Sequence, residues 1–243
     1  MVLNIEKVLV LDIETVRGEQ EFEGLDERLK IQWERKARFL KNEEVKTTEE
    51  LYLDRAGIYA EFGQIITIAC GFFVREEGAM HFRVTSITNN DEQVLLAEFS
   101  ELLSRFNQSS LILCGHNAKE FDFPYLCRRL LVNNLPLPEV LDIAGKKPWE
   151  INHLDTMELW KFGDYKHYTS LELLASIFNI PSSKADIDGS QVSDVFYHDH
   201  DLEKIALYCQ RDVVVTAQLL LRLNQLPAMD ENHIHYIEND IKP

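Results

Sequence analysis

The chain has 243 residues, 45% of them hydrophobic and 27% charged, with a formal net charge of −16. That length and apolar content suffice for one α/β domain with a substantial core, and they exclude the low-hydrophobicity, high-charge regime of disorder. The surplus of acid excludes tight, nonspecific coating of duplex nucleic acid, whose phosphates are gripped by Lys and Arg, but it suits local carboxylates that coordinate divalent cations behind a small basic rim.

The opening MVLNIEKVLVLDIE is too acidic and too short in its apolar run for a signal peptide. No later stretch approaches the ~20 apolar residues of a membrane span, so the expected location is the cytoplasm, with no membrane partner. KVLVLDIET is β-rich without helical period and predicts a buried first strand over about 6–13. Over about 24–42, Leu25, Leu29, Trp33, Ala37 and Leu40 recur at helical spacing between charges, an amphipathic helix within an insertion. A second helix over 48–59 has Thr47 or Thr48 as cap and Glu49 and Glu50 in its first turn.

From Gln64, two β-branched runs around a Glu-Gly turn predict an antiparallel hairpin. Asp91 caps a helix reaching about 107. SLILCGHN is a buried strand, and FDFPYLCRRLLVNN a helix with Pro124 in its first turn, ended by Leu135-Pro136-Leu137-Pro138. INHLDTMELW holds a short strand or strand-like run. TSLELLASIFNI is a helix opened by Thr169 or Ser170, with Glu172 close behind, and a loop with Pro181, Ser182, Ser183 and Gly189 follows. The last helix, about 201–226, is apolar almost all round in its second half and must pack deeply. The tail after Pro227 has no assigned structure. The order β, α, ββ, α, β, α, β, α, α predicts a mixed sheet flanked by helices. Cys70, Cys114, Cys127 and Cys209 sit in apolar segments without a Cys-x-x-Cys pair and read as small buried hydrophobes in a reducing compartment.

Asp12 and Glu14 lie two apart on a strand, so both side chains leave one face near its end. Such a pair can grip one hard cation; acidic pairs at this spacing also commonly just solvate a strand end. Here they terminate an otherwise buried strand, where bare charge is costly. Asp122, after a strand and at the start of a helix, reads alone as a first-turn carboxylate favoured by the dipole. Tyr208 and Asp212, four apart, share a face of the last helix; the Asp needs a cation or strong donor there, and the Tyr hydroxyl can orient a water.

In order, Asp12-Ile13-Glu14-Thr15, Asn117-Ala118-Lys119-Glu120-Phe121-Asp122 and Tyr208-Cys209-Gln210-Arg211-Asp212 resemble the three exonuclease motifs of the proofreading-type DEDD superfamily, and Tyr208 marks its tyrosine subclass. GHN, TSLELLASIFNIP and YCQRDV are similar to free-standing predicted exonucleases related to the proofreading domain of family B DNA polymerases, the likeness covering about 7–223. The resemblance implies a ribonuclease H-like α/β fold: a mixed sheet flanked by helices, in a single domain over 1–243, with a helical insertion at about 17–60 and a tail at about 227–243. It implies a 3′-5′ exonuclease that hydrolyses the terminal phosphodiester of single-stranded DNA or RNA, DNA ahead of RNA, releasing nucleoside 5′-monophosphates with two divalent ions, Mg²⁺ or Mn²⁺.

By the same resemblance Asp12, Glu14 and Asp212 hold one metal, Asp12 bridges to a second with Asp122 in or behind its shell, and Tyr208 positions the attacking water. Two cations ~3.5–4 Å apart serve an in-line displacement, and four crowded carboxylates could not all stay ionised without them. The backbone near Thr15 would hold the 3′ hydroxyl, and Asn117 would either contact the terminal nucleotide or tie a loop. Phe121 either packs on its base or sugar or belongs to the core. His116 and Asp155 read as a strand-end His and a turn-capping Asp before any role behind the metals. Lys119, Lys161, Lys166, His167 and Lys184 are either phosphate contacts or solvated charges. A catalytically weak ribonuclease H-like binding or regulatory module would also suit an acidic surface, but it has no use for several buried anions.

Overall fold

The computed structural model describes residues 3–40, 45–164, 168–182 and 187–237. Asn42, Lys166, His167, Ser183, Lys184 and the end of the tail, 238–243, lie outside the described residues.

The first strand, β1 (Val8–Arg17), outruns its expected end at 13 because Glu14 to Arg17 continue to pair with β2 (Gly63–Glu76). The pairing register shifts between Glu14 and Thr15, and such a β-bulge bends a strand and re-aims its side chains. Strand β2 turns into β3 (Ala79–Thr88) through Glu77 and Gly78, both at positive φ, as the Glu-Gly turn predicts.

Between β1 and β2 the insertion forms its own small lobe. Helix α1 (Glu27–Ala37) is shorter than the expected 24–42, because Phe22–Gly24 is a 3-10 turn and Asp26 is the cap. Helix α2 (Thr48–Arg55) starts on a capping box of Thr47 and Glu50 and gives way to a 3-10 turn, Ala56–Ile58. The stripe read from sequence is the lobe's core: Leu25, Trp33 and Ala37 are buried with Tyr52 and Phe62, and Leu29 and Leu40 pack against them. Gly57 lets this lobe close on β1, since a Cβ there would lie 3.0 Å from the Val16 carbonyl carbon.

The remaining elements are α3 (Glu92–Ser104), capped by Asp91, β4 (Ile112–Gly115), α4 (Asp122–Val132), β5 (Leu154–Asp155), α5 (Thr156–Lys161), α6 (Leu171–Phe178), α7 (Val192–Asp194), α8 (Leu202–Leu223) and β6 (Ile234–Tyr236). The short strand expected within 151–160 is β5, after which Asp155 accepts from the N–H groups of Met157 and Glu158 and starts α5. Two elements correct the sequence reading. Past Gly189, the expected loop contains α7 and a π-helical turn, Val195–Asp199. The tail supplies a sixth strand, parallel to β3.

Among the described residues the sheet order is β5-β4-β1-β2-β3-β6, with β2 antiparallel to its neighbours and the other pairings parallel. This is the expected mixed sheet flanked by helices. Leu9, Leu11 and Ile13 of β1 face α3 and α4, joining Leu95, Phe99, Phe123 and Leu126. Val8 and Val10 face α8, joining Val213, Ala217 and Leu220. The deep packing expected of α8 arises because its other side is covered by α6, through Leu174 and Ala175 against Val215 and Leu219. Among the described residues no helix is long and apolar enough to cross a membrane.

Candidate active site

Continuing the alternation of Val8 and Val10 places Asp12 and Glu14 on the α8 face of β1, where the apolar contact gives way to carboxylates. The Cys209 thiol, one turn from Asp212 on α8, donates to both the backbone carbonyl and Oδ2 of Asp12, each at 3.4 Å. Ligand atoms of Asp12, Glu14 and Cys209 all lie within 4.8 Å of one another. Cys209, read from sequence as a small buried hydrophobe, therefore also touches the acidic pair. An apolar neighbourhood in sequence does not reveal which face of a helix a thiol occupies.

Asp122 arrives from the other side. Strand β4 ends at Gly115, where a Cβ would meet the Leu11 carbonyl at 3.0 Å, and the chain turns away through Asn117 at a φ of 63°. Beyond Val10, β1 therefore loses its β4 partner. Asp122 fills the gap at the first turn of α4, its Oδ1 accepting from the N–H of Ile13 at 3.1 Å, while 4% of the residue remains exposed.

The electrostatics follow from crowding. Burial raises Asp12 well above the usual carboxylate range, and Asp122, Asp212 and Glu14 push it further. Glu14 is raised by burial, then by Asp212 and Asp122. Asp122 is raised to about 7 by burial and by Asp155 and Asp212, against the lowering effect of the Ile13 N–H and its own. The four carboxylates thus share one field, in which not all can stay charged unaided. Tyr208, hydrogen-bonded to Asp212, is held firmly as the neutral phenol by burial and by Asp212, Glu14 and Asp12. Behind it Ile187, Val192, Val195 and Ile205 form an apolar wall.

Asp155 organises the turn that carries Asn117: its carboxylate accepts from the backbone N–H groups of Asn117 and Lys119 at 3.0 and 3.1 Å, as well as capping α5. His116 bridges Thr156 Oγ1 and the Thr169 carbonyl, each at 2.9 Å. Both have the structural roles expected for them. The buried Oδ1 of Asn117 has no hydrogen-bond partner among the described residues, nor does Thr67 Oγ1, whose residue is the register partner of Glu14. The Thr15 hydroxyl donates to the Gly57 carbonyl at 2.9 Å and pairs with the Tyr125 hydroxyl. Phe121 is partly buried, packed on Tyr125 and the main core. Lys119 is paired with Glu158, and Lys161 is partly buried at the end of α5. Tyr168 escaped the sequence reading, having no signal beyond its place before Thr169. It is 68% exposed, and its phenol is raised by partial burial and by Asp122, Asp12 and Asp212.

Residues 58–241 match the model of a family described as predicted 3′-5′ exonucleases related to the exonuclease domain of PolB. The match contains Asp122, Tyr208 and Asp212, and begins after Asp12 and Glu14. Among solved structures, the family B DNA polymerase from the hyperthermophilic archaeon Pyrobaculum calidifontis is similar at 14% identity, with a TM-score of 0.47 over 93% of this chain. This chain spans 27% of that polymerase's length. No curated protein matches the sequence.

Proposed function

We propose that this chain, which belongs to the family of predicted 3′-5′ exonucleases related to the exonuclease domain of PolB, hydrolyses the terminal phosphodiester of single-stranded nucleic acid, DNA ahead of RNA. The products are nucleoside 5′-monophosphates. The carrying observation is the field shared by Asp12, Glu14, Asp122 and Asp212, in which each carboxylate raises the cost of charging its neighbours.

Such a cluster fits divalent cations, and its carboxylate oxygens fit hard ions of the Mg²⁺ and Mn²⁺ kind. In this reading Asp12, Glu14 and Asp212 hold one ion, and Asp12 reaches a second with Asp122 in or behind its shell. When bound, a pair of ions activates water and stabilises the leaving 3′ oxygen. Tyr208 stays protonated and so orients the attacking water as a hydrogen-bonding group, not as a base.

Asn117 meets the terminal nucleotide: its Oδ1 lies buried without a partner among the described residues, at a cost of about 1–3 kcal/mol, and a turn of the amide out of that position would let a sugar hydroxyl donate to it. The backbone at Thr15 contacts the same nucleotide, and Phe121 lies against its base or sugar with the face that the core leaves open. Residues 1–243 act as one catalytic domain, with the 17–60 lobe beside the mouth. The proposed setting is the cytoplasm, where Cys70, Cys114, Cys127 and Cys209 remain the free thiols they are here.

The test is a panel of end-labelled DNA and RNA strands incubated with Mg²⁺, Mn²⁺ or chelator, using wild type and Asp12→Ala. Stepwise shortening from the 3′ end, lost in chelator and reduced at least about 100-fold in the variant, is expected. Intact substrates in every lane, with nucleic acid still retained on a filter, would instead favour a binding module.

A further inference from the structure

A second cluster of metal-binding side chains lies at the other end of the sheet. Strand β6 pairs with β3 in the register Phe82↔Ile234, Arg83↔His235 and Val84↔Tyr236. Phe82 and Val84 face α8, so His81, Arg83 and His235 stand on the opposite face, and His81 and His235 are diagonal neighbours. Asp12 is level with Ser86 through Ala69 of β2. His81 is thus roughly 16 Å from that level along β3, at ~3.3 Å per residue.

The two imidazoles meet in an unusual way. His81 Nδ1 and His235 Nε2 are 2.9 Å apart, and their ring centroids are 5.2 Å apart with planes 19° from parallel. The ring centres lie well beyond the two nitrogens, which puts the near-parallel rings end to end, each aiming a nitrogen at the other. One must donate and the other accept. His233, closing the 3-10 turn before β6, lays its ring beside His81 at 4.5 Å between centroids. Arg83, the charged neighbour on this face, is already paired with Glu76.

The geometry points to a site for a borderline divalent transition metal of the Zn²⁺ kind, formed by His81, His233 and His235 and fastening the C-terminal strand to the sheet. Imidazole nitrogens suit Zn²⁺, Cu²⁺ or Ni²⁺, whereas Mg²⁺ and Mn²⁺ favour oxygen ligands, so the two ends of the molecule call for different ions. Two nitrogens on a tetrahedral Zn²⁺ stand about 3.3 Å apart at Zn–N lengths of ~2.0–2.1 Å. The rings of His81 and His235 therefore need to part by only a few tenths of an ångström and bend toward the ion. The nitrogens of the three rings are not gathered at one point as they stand, so His233, with its ring beside His81, would have to turn about its side-chain bonds to supply the third ligand. The donor of the pair takes its proton back on its other ring nitrogen as the ion binds. Three neutral imidazoles then face the metal, no proton is released, and a fourth position stays open to water. The benefit lies with β6, a three-residue edge strand whose pairing is too short to hold firmly alone.

Zn²⁺ titration calorimetry on the full chain tests the site, with Cu²⁺ electron paramagnetic resonance to identify the coordinating atoms. His81→Ala, His233→Ala and His235→Ala should each bind one Zn²⁺ fewer per chain than wild type, or bind it at least about 100-fold more weakly. The wild-type Cu²⁺ spectrum should carry nitrogen couplings that His235→Ala loses. Zn²⁺ should also slow hydrogen exchange at the Ile237 amide, which donates to the Val84 carbonyl at 2.8 Å. If His81→Ala loosens the edge, His233→Ala and His235→Ala carry the comparison. Equal Zn²⁺ stoichiometry and affinity in all three variants and wild type, or a Cu²⁺ spectrum without nitrogen couplings, would overturn the site.

Discussion

Asp122 is a carboxylate that the fold seats against the preference of its charge. Unfolded it titrates near 3.8; folded it does so at about 7. Between those values the unfolded chain binds fewer protons than the folded one, so stability falls as pH rises, with the penalty absent below the lower value and complete above the upper. In chelator, Asp122→Asn should therefore exceed wild type in thermal midpoint at about pH 8, and the gap should close toward about pH 4. His116 and His153, held low by burial, tilt both curves the other way and cancel in the difference. A gap that does not change with pH would contradict this origin of the raised titration. Tyr208→Phe removes only the hydroxyl, and should slow hydrolysis by about 10²-fold with Mn²⁺ affinity nearly unchanged; loss of metal binding in a titration would show that the role is wrong. At this scale the sequence was informative wherever type and spacing carry meaning: Asp12 with Glu14 on a strand, Tyr208 with Asp212 on a helix. It was silent on the Cys209 contact with Asp12 and on the turn built by Asp155, which depend on what a neighbouring element brings.

At the scale of elements, Asp122 is carried by α4, and α4 is braced by a buried ion pair. Glu92, in the first turn of α3, accepts from Arg129 Nε at 2.9 Å, from Asn133 Nδ2 at 2.8 Å and from the N–H of Ile65 at 2.7 Å. One carboxylate thus joins α3, α4 and β2. Removing one partner of a buried pair costs about 3–5 kcal/mol, and Glu92→Ala should lose that much in urea unfolding; a loss under about 1 kcal/mol would mean that the brace is replaceable. The elements legible in the sequence are those long enough to show a period or a cap, such as α1, α3, α8 and the β2-β3 hairpin. The unread ones have no period of their own. Helix α5 has six residues and depends on the Asp155 cap, and β6 has three and exists because β3 offers an open edge.

Across the whole molecule, the alternation of one strand sets the division of labour. Strand β1 buries Leu9, Leu11 and Ile13 against α3 and α4, and turns Val8, Val10, Asp12 and Glu14 toward α8, so that stability and acidity share a strand. The fold class was legible because the order of strands and helices implies a mixed sheet. The neighbour relations β5-β4-β1-β2-β3-β6 were not, since they are fixed by contacts between distant segments. Part of the surplus acid behind a charge of −16 is gathered at Asp12, Glu14, Asp122 and Asp212, for which divalent cations are proposed. Counting those cations in place is the most direct measurement: anomalous scattering from crystals grown with Mn²⁺ should reveal two ions ~3.5–4 Å apart between Asp12, Glu14, Asp122 and Asp212, and neither in Asp12→Ala. A wild-type cleft that binds no Mn²⁺ at saturating concentration, or only one ion with Asp122 turned away from it, would contradict the two-ion site.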